Sequence, residues 1–364
     1  MMKTVFRIYL ILAFIFAALE SWGQTLPPGT VTQPTLGYVV DSAHHLRPMI
    51  GVVGAASIGD AVDVGMDVIS ATVPPAHDYV LATTSSSGLP ILLQVRRGAF
   101  MVQPGAFAIG PGQAACNSSN ESDLPSGTRS RPRPTCSQRA SVDTGAAIDQ
   151  IVLSPAGSAA AFYSSSQGQI YSFANVNQSP SFSGKFQVGS LGALSAFGIS
   201  DDGSTVAVGV SDGQTGSLFI ANAGRPMRLI ASMAHPAAIV FLHNSSSAVV
   251  ADDVANTVST IWDGQVFPVA SSQDGISKPT AIGISNDNQR VFVGSSQSGS
   301  VITVGPNGTI SQPMPCNCSL TGLFPTNTDS VFRLTDFSGG PVLLFDANRA
   351  APRITFVPVR SSQF

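Results

Sequence analysis

Short runs of alternating apolar and polar residues recur along most of the chain, separated by clusters of Gly, Ser, Asn, Asp and Pro. Alternation with period two predicts half-buried β-strands, and the intervening residue types predict tight turns. The pattern also repeats itself. Ile199–Val208 (ISDDGSTVAV) and Ile284–Val293 (ISNDNQRVFV) share one frame: an apolar residue, a polar turn, then an alternating strand. The same frame fits Leu153–Tyr163, Leu242–Ala251 and Phe324–Leu334, and more loosely Val73–Ala82. Each unit then adds a Gly/Ser/Asp turn, a third strand such as Ser217–Ala221, Val258–Trp262 or Ser300–Val304, a second turn, and a fourth apolar stretch such as Met227–Ile230 or Ile354–Val357.

The frames begin at residues 73, 153, 199, 242, 284 and 324, intervals of 80, 46, 43, 42 and 40. A period near 40–45 with four strands per unit predicts an all-β chain of four-stranded antiparallel blades, a β-propeller. One such sheet cannot bury both faces alone, so the blades must stack around an axis. Tyr38–Asp41 and Arg47–Val53 form an N-terminal hairpin that resembles a third and fourth strand without the first two, because its Arg-Pro-Met echoes Arg225-Pro-Met227. Six recognisable repeats plus this hairpin favour a ring of seven positions over six. The propeller is expected to span residues 37–359 as one domain, after a linker at 24–36 and before a tail at 360–364. The long first interval holds an insertion, residues 104–146, after the first full blade.

The turn-and-strand phrase is similar to the repeats of the YVTN-type and lactonase-like propeller families, best at Ile199–Ile220 and Ile284–Val304. The resemblance implies an architecture. For function it implies only one enzyme reading, a lactonase-like hydrolase at the mouth of the central channel. Such a site needs several acidic, His or Arg side chains converging on the axis.

Composition bears on that reading. Charged residues are 11% of the chain, against about 25% in ordinary soluble proteins. Beyond the first 23 residues there is one Glu, Glu121, and two Lys, Lys185 and Lys278. This leaves little material for an acid–base site, and helix-rich surfaces, which rely on Glu and Lys, are excluded. A net charge of −3 with no basic stripe argues against nucleic acid as a partner. No Gly-x-Ser-x-Gly elbow, phosphate-binding Gly-Lys loop or His-x-x-x-His spacing is present, so no cofactor is expected. The expected function is therefore non-enzymatic binding of a protein, a glycan or a small polar ligand by a monomer, with the hydrolase as the alternative.

The N-terminus fits export. Lys3 and Arg7 precede an apolar run from Ile8 to Leu19, and Ser21-Trp22-Gly23 offers small residues for cleavage near Gly23-Gln24. The run is shorter than the roughly 20 residues a spanning helix needs, so no membrane span is expected after cleavage. An outer-membrane barrel is disfavoured by the short strands and the absence of an apolar alternating row before Phe364. In a secreted chain the four cysteines, Cys116, Cys136, Cys316 and Cys318, read as disulfides. Three pairings are possible; Cys116–Cys136, which closes a polar loop, is favoured, while Cys316 and Cys318 closing on each other strains the bond. Cys116–Arg139 carries four Arg against Glu121 and Asp123 and reads as a solvated loop.

Propellers bind at the turns between second and third strands and at the channel mouth. That frame selects Asp212, Asp252, Asp253, Asn256 and Asp336 in those turns, and His235 just ahead of a blade. Asp252 and Asp253 converge on one ligand only if the chain turns there, since adjacent strand residues point to opposite faces. His77 and His243 fall in first-to-second-strand turns, on the other rim.

Overall fold

The structure is a computed structural model that describes residues 34–84, 90–96, 99–103, 106–107, 147–213, 215–305, 308–337, 340–348 and 351–360. The expected signal segment, Cys116, Cys136 and nearly all of the 104–146 insertion lie outside the described residues.

The described chain is all-β apart from short 3-10 turns such as Ser272–Asp274, and its strands form seven antiparallel sheets. Blade 1 contains β1 (Thr35–Val40), β2 (Leu46–Ile50) and β3 (Ser57–Ile58). Blade 2 contains β4 (Val68–Thr72), β5 (Tyr79–Thr84), β6 (Pro90–Arg96) and β7 (Ala99–Gln103). Blade 3 contains β8 (Gln150–Leu153), β9 (Ala160–Ser164), β10 (Gln169–Ala174) and β11 (Ser181–Gln187). Blade 4 contains β12 (Leu194–Ile199), β13 (Thr205–Ser211), β14 (Gly216–Asn222) and β15 (Arg228–Met233). Blade 5 contains β16 (Pro236–Phe241), β17 (Ala248–Asp252), β18 (Thr257–Trp262) and β19 (Gln265–Ala270). Blade 6 contains β20 (Pro279–Ile284), β21 (Val291–Ser295), β22 (Ser300–Val304) and β23 (Met314–Pro315). Blade 7 contains β24 (Phe324–Pro325), β25 (Val331–Arg333), β26 (Val342–Asp346) and β27 (Arg353–Val357).

Strands follow chain order within every blade, as hairpin connections require. The first strands of neighbouring blades approach one another, as β12 does β16 and β16 does β20, so they line the axis. The sheets are separate, which sets the molecule apart from a single closed barrel.

The core lies between blades. Seven buried apolar clusters occur among the described residues, one at each junction of neighbouring blades, including blade 7 with blade 1. Strand alternation produces this. In β13, Val206, Val208 and Val210 face blade 3, while Ala207 faces blade 5. Both faces of the second strand are buried, and β13 is buried throughout its length. Each fully buried Val or Ile contributes roughly 1.5–3 kcal/mol relative to exposure. Phe107, at the edge of the insertion, packs edge-on against Phe162 and Phe173 in the junction of blades 2 and 3.

Blade 1 corrects the expected strand assignment. The turn between β1 and β2 sits on the rim where first strands begin, since the Val68 N–H donates to the His44 carbonyl. Asp41 ends β1 as Asp252 ends β17: each accepts backbone N–H groups from the following turn through Oδ1. Gly54, between β2 and β3, abuts Arg353 at the start of blade 7's fourth strand, as Gly264 abuts Arg228 at the start of blade 4's. The hairpin is therefore a second and third strand, and β3 is the fourth. The Arg-Pro-Met echo misled because it matched a turn sequence and ignored the Asp that closes second strands. Among the described residues nothing fills the first-strand position of blade 1. The ring closes where Val359 pairs in parallel with Ile58, whose N–H donates to the Pro358 carbonyl at 2.8 Å.

Cys316 and Cys318 are joined to each other across Asn317, with Cα atoms 5.2 Å apart, in the connection between blades 6 and 7. No helix among the described residues is long and apolar enough to cross a membrane.

Candidate functional site

The two rims differ in what their polar side chains do. On the rim of second-to-third-strand turns, Asp252 is 1% exposed and fully engaged. Its Oδ2 accepts the Ala234 N–H at 2.7 Å, and its Oδ1 accepts Val254 and Ala255 at 3.1 and 2.8 Å. It ties the entry of blade 5 to its own turn. Asp253, the first residue of the turn beyond β17, meets His235 Nδ1 at 2.5 Å. The two carboxylates are held by different partners. Asp212 accepts the N–H and hydroxyl of Thr215 within its own turn. Asn256 accepts the Lys278 N–H at 2.6 Å and donates to the Val254 carbonyl. Asp336 pairs with Arg333 Nη1 at 2.9 Å, two blades from His235. Among the described residues no hydrogen bond or ion pair joins the His235–Asp253 and Arg333–Asp336 pairs, so the side chains selected from sequence form no single site. Among the described residues no group of three His, Cys, Asp or Glu side chains is placed to hold a metal ion.

The opposite rim carries first-to-second-strand turns. Asp201 bridges three blades there, accepting Ala156 N–H of blade 3 at 2.8 Å and Asn244 N–H of blade 5 at 2.7 Å. Asn288 likewise clasps both the N–H and the carbonyl of His243. These clasps fix the turns around the axis.

Inside that rim, on the axis, lies a cavity of about 280 Å3, lined from six of the seven blades. Its walls are mostly apolar, with Val73, Val152, Val240, Ile282 and Leu323 near the ends of first strands. On the blade 1 side the wall is made by Gly37 and Tyr38 of β1, because the first-strand position is not filled by described residues. The Tyr38 phenol is buried, which pushes its pKa up to about 12, so it stays neutral.

His77 is the polar residue that distinguishes this cavity. It occupies the left-handed position of its turn, φ 53°, with its N–H on the Pro74 carbonyl. The corresponding positions in blades 3, 4 and 6 are Gly157, Gly203 and Asn288, each making the same turn bond. Gly adopts this conformation without cost, and Asn, Asp and His are the other residues most often found in it. The His77 side chain is 8% exposed, and neither ring nitrogen completes a hydrogen bond among the described residues. Burial drives its pKa down to about 4, with the Thr35 backbone opposing the shift in part, so the ring is neutral near pH 7. The Tyr38 ring stands edge-on 6.2 Å away. Arg333 also lines the cavity, its guanidinium stacked 4.1 Å from the centre of the Phe324 ring. The site thus offers mostly apolar walls with a few polar groups, chiefly the imidazoles of His77 and His243, the Arg333 guanidinium and the Asp329 carboxylate, the composition of a small-molecule pocket.

Sequence reasoning placed His77 in a turn and stopped there. The signal that finds it is the alignment of the turns themselves, in which His replaces the Gly or Asn of its counterparts.

No protein-family model matches the chain, and no curated protein matches it. Solved structures do. A functionally unknown protein from Desulfotomaculum acetoxidans DSM 771 is similar, with 12% identity and TM-score 0.54 over 90% of this chain and all of that one. A chain of a nidogen/laminin complex aligns with 12% identity and TM-score 0.45 over 79% of this chain and 96% of that one. At such identity the likeness to the Desulfotomaculum protein supports the propeller fold and nothing finer.

Proposed function

We propose that the protein is an exported, non-enzymatic binding propeller that holds a small ligand in its axial cavity. The observation that carries this reading is His77. A buried imidazole that completes no hydrogen bond and draws only weakly on the Thr35 backbone costs roughly 1 kcal/mol or more. Gly or Asn, used at the same position elsewhere in the ring, would avoid that cost. A ligand that bonds to the ring recovers it. Export rests on the expected signal segment, cleaved near Gly23-Gln24, and agrees with disulfide use. The hydrolase alternative draws on the His235–Asp253 pair, but that pair lies outside the lining of the cavity.

A thermal-shift screen of small molecules tests the reading, with His77→Asn as control because Asn tolerates the turn. Ligands at about 100 times their Kd are expected to stabilise the wild type by about 2.7 kcal/mol. The same compounds should lose most of that effect in the variant. Hits that stabilise both proteins equally would place binding elsewhere and remove the cavity from consideration.

A further inference from the structure

Arg333 narrows the ligand class. We propose, resting on the axial cavity as the ligand site, that it takes a small amphipathic monoanion, with an apolar body in the channel and one carboxylate-type head at Arg333. Four observations converge. The walls built from first-strand ends are apolar, so most of the ligand must be apolar too. The Arg333 side chain is 11% exposed, yet its carboxylate partner, Asp336, is 65% exposed. A water-screened carboxylate compensates a buried guanidinium weakly. Burial accordingly outweighs Asp336 and pulls the guanidinium pKa downward. Finally, the hydrogen bonds of Arg333 among the described residues leave from Nη1 alone, to the Thr335 carbonyl and Asp336.

A desolvated anion in the cavity matches what this guanidinium lacks, since a planar fork prefers a bidentate carboxylate. Its face is already fixed by the Phe324 ring, so little ordering remains to be done. Asp329 limits the ligand to one such head. It also lines the cavity, holding the Asn286 N–H at 2.9 Å, and would repel a second carboxylate. His77, neutral and able both to donate and to accept, suits a hydroxyl or carbonyl on the apolar body and does not select for charge.

Isothermal titration of the mature protein with octanoate, 1-octanol and octylamine tests the class. Octanoate is expected to bind at least tenfold more tightly than 1-octanol, and octylamine not at all. Arg333→Gln should bring octanoate and 1-octanol to parity. Because that variant loses the stack on Phe324, a second one guards the test. Asp336→Ala removes the competing carboxylate and should tighten octanoate severalfold while leaving 1-octanol unchanged, a gain that a purely structural Arg333 would not produce. Equal binding of octanoate and 1-octanol would overturn the anion preference and leave the cavity reading standing. Failure of all three probes, together with no His77-dependent hit in the thermal screen, would overturn both.

Discussion

Asp252 and His77 are both buried polar side chains at strand–turn junctions, on opposite rims. Asp252 accepts three backbone N–H groups and is 1% exposed, so it presents little to a ligand. His77 is nearly as buried and has no completed side-chain bond among the described residues. The contrast teaches that residue type and burial do not separate scaffold from site; the number of satisfied partners does. A saturated carboxylate stabilises the fold, whereas an unsatisfied imidazole is a cost the fold retains.

The sharpest test of the comparison is Asp252→Ala. Removing the carboxylate strands three N–H groups at the mouth of blade 5. At about 1 kcal/mol or more for each, a loss of roughly 3–5 kcal/mol is expected in urea denaturation. A loss below 1 kcal/mol would mean that water satisfies these groups and that Asp252 is no lock.

The second test uses acid. The folded pKa of His77 is depressed to about 4 from an ordinary value of 6.5, so the unfolded chain binds the extra proton first. The contribution of the neutral ring is therefore fully present above about pH 6.5 and is lost as pH falls toward 4. Stability should drop by about 2 kcal/mol between pH 7 and pH 5 from this group. In His77→Asn that share of the acid sensitivity should vanish. A variant with the same pH profile as the wild type would show that the ring is solvated.

The smallest effect is expected at the His235–Asp253 pair, which is partly exposed. His235→Gln or Asp253→Asn should cost under about 1 kcal/mol at pH 7. A larger cost would make this rim energetically as tight as Asp252 makes it appear and weaken the contrast between neighbouring carboxylates.

The blades were legible in the sequence because their cause is local. Alternation sets which residues face each neighbouring blade, and turn residues set where each strand stops. The starts of β13 and β21 follow directly from the SDDGS and SNDNQ turns before them. Blade 1 was legible as a hairpin and misassigned within its sheet, because strand rank is set by neighbours such as Arg353 that come last in the chain. The site was less legible still. Asp212, Asp252, Asn256 and Asp336 have the composition of a binding rim, but their lone pairs are taken by turn N–H groups or, for Asp336, by an Arg, which composition does not reveal. His77 stands out only once the ring brings Gly37 and Tyr38 of blade 1 beside it.

The pairing of Ile58 with Val359 also has a kinetic meaning. It joins residues about 300 positions apart, so forming it first would cost roughly 5 kcal/mol of loop-closure entropy with nothing yet gained. Junctions between consecutive blades span far shorter stretches and form more readily. The ring should therefore assemble as an open arc and shut at this seam last. An arc that fails to shut exposes the edge of β3 and the apolar faces of blades 1 and 7, and at high concentration these can pair with another open arc. Dilute, slow refolding favours the closed ring over exchanged dimers.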